Sequence, residues 1–109
     1  MKQLTIVLLA AASLSAAQDT RTFSGTISDE MCAGVGHASM RMGPTDAECT
    51  TACVMSHGAA YVLESGTDVY LLSDQKSPEA FAGQKVNVVG TLDARTRTIR
   101  VDSIAAATR

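Results

Sequence analysis

Three observations in the sequence predict a mainly β chain folded as one small five-stranded barrel. Apolar and polar residues alternate with period two in several separate stretches, the signature of half-buried strands. Helix signals occur at only two places, Thr45 and Ser77. All three cysteines, both histidines and four of the five methionines fall between Met31 and Gly58, which sets that stretch apart from a plain β pattern.

The first strand is expected over Thr22 to Cys32, with Phe23, Gly25, Ile27 and Met31 on its inner side and a bend at Asp29. The pair Asp29-Glu30 reads as a turn rather than as paired catalytic acids. Ala33 to Pro44 carries Gly34, Gly36, Gly43 and Pro44 and reads as a loop. Thr45-Asp46-Ala47-Glu48 then matches a capping box, so a helix should run from Asp46 to about His57 and stop at Gly58. Cys49, Ala52, Cys53, Ser56 and His57 recur on it at spacings that share one face, and Met55, like Met31, is assigned to the core.

Beyond the helix the pattern is β. Ala60 to Glu64 and Asp68 to Ser73 are apolar runs joined by Ser65-Gly66-Thr67, a hairpin signal. Ser77 to Gly83 has a cap, a first-turn proline and a closing glycine, and predicts one or two helical turns. Gln84 to Asp93 alternates strictly, and Thr98 to Ile104 makes the last strand. A shift of apolar phase before Ile104 places a bulge near Asp102 and Ser103, and Ala105 to Arg109 is expected to fray. The inward set is Ile27, Val62, Leu71, Val86, Val88, Leu92, Ile99 and Val101.

Five strands with a short helix between the third and fourth fit an OB-like barrel, with the cysteine-bearing helix inserted between strands one and two. A two-layer α+β sandwich is the alternative. The segments Gly25 to Cys32, Cys49-Thr-Thr-Ala-Cys53-Val, Ala60-Tyr-Val-Leu63 and Phe81 to Leu92 resemble small secreted bacterial domains of unknown function with OB-like barrels. The resemblance implies that fold and no catalytic residue.

Residues 1–17 read as a secretory signal peptide. Lys2 precedes an apolar run from Leu4 to Ala12, and Ser15 and Ala17 are the small residues before cleavage at Gln18. The run is too short for a permanent membrane anchor. Residues 18–109 are then a single exported domain, periplasmic or extracellular. Net charge is −2, with the acidic residues mostly before Gly83 and Arg95, Arg97, Arg100 and Arg109 gathered at the end. There is no Trp, and only two Phe and two Tyr. Single-strand nucleic-acid grooves combine positive charge with stacking rings, so these arginines read as a solvated strand face and no nucleic-acid partner is expected.

Chemistry concentrates in Cys32-x4-His37 and Cys49-x3-Cys53-x3-His57. Thiolate and imidazole are preferred donors for zinc and copper, and Met40 and Met42 add soft sulfur suited to Cu(I). The first reading is thus a non-enzymatic exported binding module whose Cys/His/Met patch holds a soft or borderline metal, Zn or Cu. The alternative is a module stapled by a disulfide from Cys32 to Cys49 or Cys53, binding a small ligand or protein partner without metal. Such a staple is worth about 3 kcal/mol in the chain-entropy model. A thiol–disulfide redox role is a third reading, though redox enzymes of the thioredoxin type use C-x-x-C. No oxyanion hole or phosphate-cradling glycine motif accompanies the cysteines, so no catalytic residue is assigned.

Overall fold

The structure, a computed structural model, describes residues 19–36 and 41–107. The signal-peptide reading and the candidate ligands His37 and Met40 lie outside the described residues. The elements are β1 (Arg21–Asp29), α1 (Asp46–His57), β2 (Tyr61–Ser65), β3 (Asp68–Leu72), a 3-10 turn (Ser77–Phe81), β4 (Lys85–Asp93) and β5 (Thr98–Ala106). The chain is therefore mainly β, with α1 between β1 and β2 and the 3-10 turn between β3 and β4.

All five strands belong to one sheet, ordered β1-β2-β3-β5-β4. β1 pairs with β4 through its first half (Arg21 to Thr26) and with β2 through its second (Thr26 to Asp29). Each strand thus has two neighbours, and the ring of hydrogen bonds closes. Every pairing is antiparallel except β3 with β5. The contact between β3 and β5 is the shortest, covering Leu71 with Thr98 and Leu72 with Ile99.

Inside the ring sit Phe23 and Ile27 of β1, Tyr61 and Leu63 of β2, Leu72 of β3, Val86 and Val88 of β4 and Ile99 of β5. Leu92, Val101 and Ile104 are partly buried against them. The strict alternation of β4 gave its phase correctly. On β2 and β3 the expected phase is off by one residue. Leu71 points outward at 39% exposure, and Leu72 takes the inner place. Val62, its cross-strand partner, is buried but stands outside the core cluster, which takes Tyr61 and Leu63 instead. Residues directly opposite on paired strands face the same side, so an error at Val62 carries over to Leu71. The cause is the unbroken run Ala60-Tyr-Val-Leu63, which has no alternation to fix its phase.

The bulge expected in β5 is present. Val89 pairs with Ser103 and Gly90 with Val101, leaving Asp102 as the extra residue. β5 runs past the expected fraying point, because Ala105 and Ala106 pair with Asn87 and Val86. Arg95, Arg97 and Arg100 are exposed. Arg97 bonds Asp68 at 3.1 Å and lies over the Tyr70 ring.

The 3-10 turn is capped from further upstream than Ser77. Asp74 Oδ1 accepts from the Lys76 and Ser77 amides, at 2.9 and 3.0 Å. The Ser77 hydroxyl and these amides hold the Asp74 carboxyl below its ordinary pKa.

Candidate metal centre

The insertion between β1 and β2 leaves and rejoins the sheet at one place. Asp29 pairs with Tyr61, and Glu30 N donates to Ala60 O at 3.0 Å. The Glu30 carboxylate accepts from Ala60 N at 3.0 Å, closing the base a second time.

Asp29, fully buried, shapes the first turn of the insertion. Its Oδ2 accepts from Met31 N at 3.2 Å and Cys32 N at 3.1 Å, and its carbonyl accepts from Cys32 N and Ala33 N. The chain reverses within three residues, and the Cys32 side chain is buried while Met31 is left 39% exposed. That corrects the assignment of Met31 to the core: the strand ends at Asp29, and period two does not continue through the turn.

α1 supplies the other two thiols. Thr45 Oγ1 accepts from Glu48 N at 3.2 Å, and the Glu48 carboxylate accepts from the Thr45 hydroxyl at 3.0 Å. At the far end Gly58 sits at φ 66°. Its N–H bonds the Val54 carbonyl and Ala59 N bonds the Cys53 carbonyl, a left-handed termination that favours glycine. A second glycine seats the helix. At Gly83, φ 74°, any Cβ would lie 2.8 Å from the backbone of Ala47, so α1 rests directly on this turn. The buried residues of the helix are Cys49, Thr50 and Cys53, and Cys49 and Cys53 lie well round the helix from Ala47. Met55, assigned to the core from sequence, is 74% exposed, and Val54 makes the contact with both buried clusters instead.

The three sulfurs of Cys32, Cys49 and Cys53 lie within 4.8 Å of one another, and all three residues are buried. A triangle of that size puts every sulfur within about 2.8 Å of a common centre, near the Zn–S length of about 2.3 Å. No disulfide joins any two of them. Met42 packs against this cluster, and its N–H donates to Cys49 Sγ at 3.3 Å. His57 is exposed at the end of α1 and is not in the group of three.

Burial first, and then the charge of Asp29, push the Cys32 thiol up to about 12. The same two causes raise Cys53. Cys32 and Cys53 are therefore held toward the protonated thiol, and a cation bound beside them would have to displace those protons.

Sequence reasoning did not single out Asp29 as part of the site. Among the described residues, the buried side-chain polar atoms without a partner are Ser28 Oγ, Asp29 Oδ1 and Thr50 Oγ1. Each belongs to a site residue or to one beside it in the chain. An unpaired buried polar atom costs about 1–3 kcal/mol, and more when charged. The signal available in the sequence was Asp29-x2-Cys32, a carboxylate at turn spacing before a thiol.

No curated protein and no solved structure matches the chain. One family, described as "Protein of unknown function (DUF5818)", matches residues 53–107, from Cys53 through β2, β3, β4 and β5. The chain belongs to that family.

Proposed function

We propose that this protein is a small exported, non-enzymatic binding module in which the thiolates of Cys32, Cys49 and Cys53 hold one soft or borderline metal ion. The observation that carries the reading is the buried triangle of sulfurs within 4.8 Å. Two elements supply it, each fixed by its own hydrogen bonds, so the donors are gathered before any ion arrives. His37 and His57, with Met40 and Met42, remain candidates for a further donor, and Met42 already packs on the thiols. The strand order, with its one parallel contact between β3 and β5, supports an OB-like description of the ring.

The test is elemental analysis together with thiol counting on one sample kept reduced. About one metal per chain is expected, with thiols that react only after chelation. Cys53→Ser should lose the metal while keeping the β-sheet signal in circular dichroism. One titratable thiol per denatured, unreduced chain, two more after reduction and no metal would overturn the reading. That result would establish the stapled alternative.

A further inference from the structure

Resting on the three-thiolate reading, we propose that Asp29 is the fourth group of the site, accepting through Oδ1 a hydrogen bond from a water bound to the metal.

The two oxygens of this carboxylate have different circumstances. Oδ2 is held by the amides of Met31 and Cys32, which fixes the plane of the group and the turn that carries Cys32. Oδ1 is buried and has no partner. Asp29 exposes none of its surface, and its charge acts on both Cys32 and Cys53. Ser28 Oγ and Thr50 Oγ1, which flank Asp29 and Cys49 in the chain, are also buried without partners. Adjacent residues of a strand point to opposite faces, so of Ser28 and Asp29 it is Asp29, whose carboxylate holds the turn of Cys32, that a polar guest beside the thiols would answer. A buried water needs two to four such partners.

Asp29 is not in the group whose donor atoms lie within 4.8 Å of one another, so the contact proposed for it with the ion is water-mediated rather than direct. Three protein ligands plus water is a four-coordinate arrangement that zinc adopts. An oxygen in the set also favours a borderline divalent ion over Cu(I), which prefers soft sulfur throughout. Asp29 is thus a positioning residue that selects among metals, and Zn²⁺, Co²⁺ and Cd²⁺ are the class it admits.

The experiment is titration of the reduced full chain with Co²⁺ and then Zn²⁺ in competition, on wild type, Asp29→Asn and Glu30→Gln. Glu30→Gln removes a neighbouring charge whose carboxylate accepts from Ala60 N, and serves as the control. Asp29→Asn is expected to weaken Co²⁺ and Zn²⁺ about 10- to 100-fold, the range typical of outer-shell partners. It should also shift the cobalt d–d bands and leave Cu(I) affinity within about twofold, while Glu30→Gln changes neither. Equal affinity and identical bands in Asp29→Asn would overturn the inference and leave the three-thiolate reading standing. No binding of any of these ions by wild type would overturn both. Should Asp29→Asn fail to fold, the ¹¹³Cd resonance of the wild-type complex decides. A position set by three sulfurs and one oxygen supports the inference; a nitrogen or fourth sulfur defeats it.

Discussion

Ile27 and Leu71 bracket what one side chain can contribute here. Ile27 is fully buried in the ring, whereas Leu71 lies 39% exposed on its outer side. Ile27→Ala should cost about 2–5 kcal/mol, and Leu71→Ala well under half of that, as read from urea midpoints. Equal losses at the two positions would mean that β3 has the opposite phase. The Cys32 thiol adds a pH dependence to the reduced, metal-free protein. Its pKa rises from an ordinary 9.0 to about 12 on folding, so the native state binds more protons than the unfolded state between those values. Its contribution to stability is then complete below about pH 9 and lost as pH climbs toward 12. Denaturation at pH 8 and pH 10.5 should show the decline, and Cys32→Ala should flatten it. At this scale the sequence made the thiols legible, because cysteine is scarce and its spacing unusual. Asp29 was hidden because its role depends on burial, and an Asp-Glu pair at a strand end looks like any exposed turn.

α1 shows how an element can be read almost to the residue. Its limits, Asp46 and His57, were legible because capping chemistry is local: a hydroxyl three residues before an acid at one end, a glycine at the other. Thr45→Ala should destabilise the protein by about 1 kcal/mol. It should also loosen the first helical turn that carries Cys49, lowering metal affinity without abolishing it. Chemical denaturation and competitive metal titration check the two halves separately. The reading of which helical face is buried was less complete. Cys49 and Cys53 face inward as their spacing required, but Ser56 and His57 are exposed and Thr50 is buried. Which way the helix is turned depends on contacts between distant parts of the chain, such as Gly83 against Ala47, and these leave no local pattern. β2 was ambiguous for a related reason. A continuous apolar run reports burial without saying which side is in.

The whole molecule is a ring that β1 completes by pairing with β2 and β4 in turn. Strand number and order of elements were legible, since each strand carries its own turn signals. A closed ring was expected from the barrel reading, but the particular pairings that close it were not legible, because they join strands distant in the chain. The surface pair Arg97–Asp68, with both side chains more than half exposed, contributes little to holding the ring, as is usual for exposed ion pairs. Its stability rests on the buried apolar set and on the strand hydrogen bonds.

The base of the insertion, where Asp29 meets Tyr61 and Glu30 meets Ala60, has one further consequence. A segment whose ends are already side by side makes little demand on the frame that carries it. Doubling its length costs only about 0.6 kcal/mol of closure entropy. The excursion can therefore lengthen, shorten or exchange its donor residues between lineages while the strands beneath keep their register. The cysteine-bearing excursion and the scaffold are then free to diversify separately.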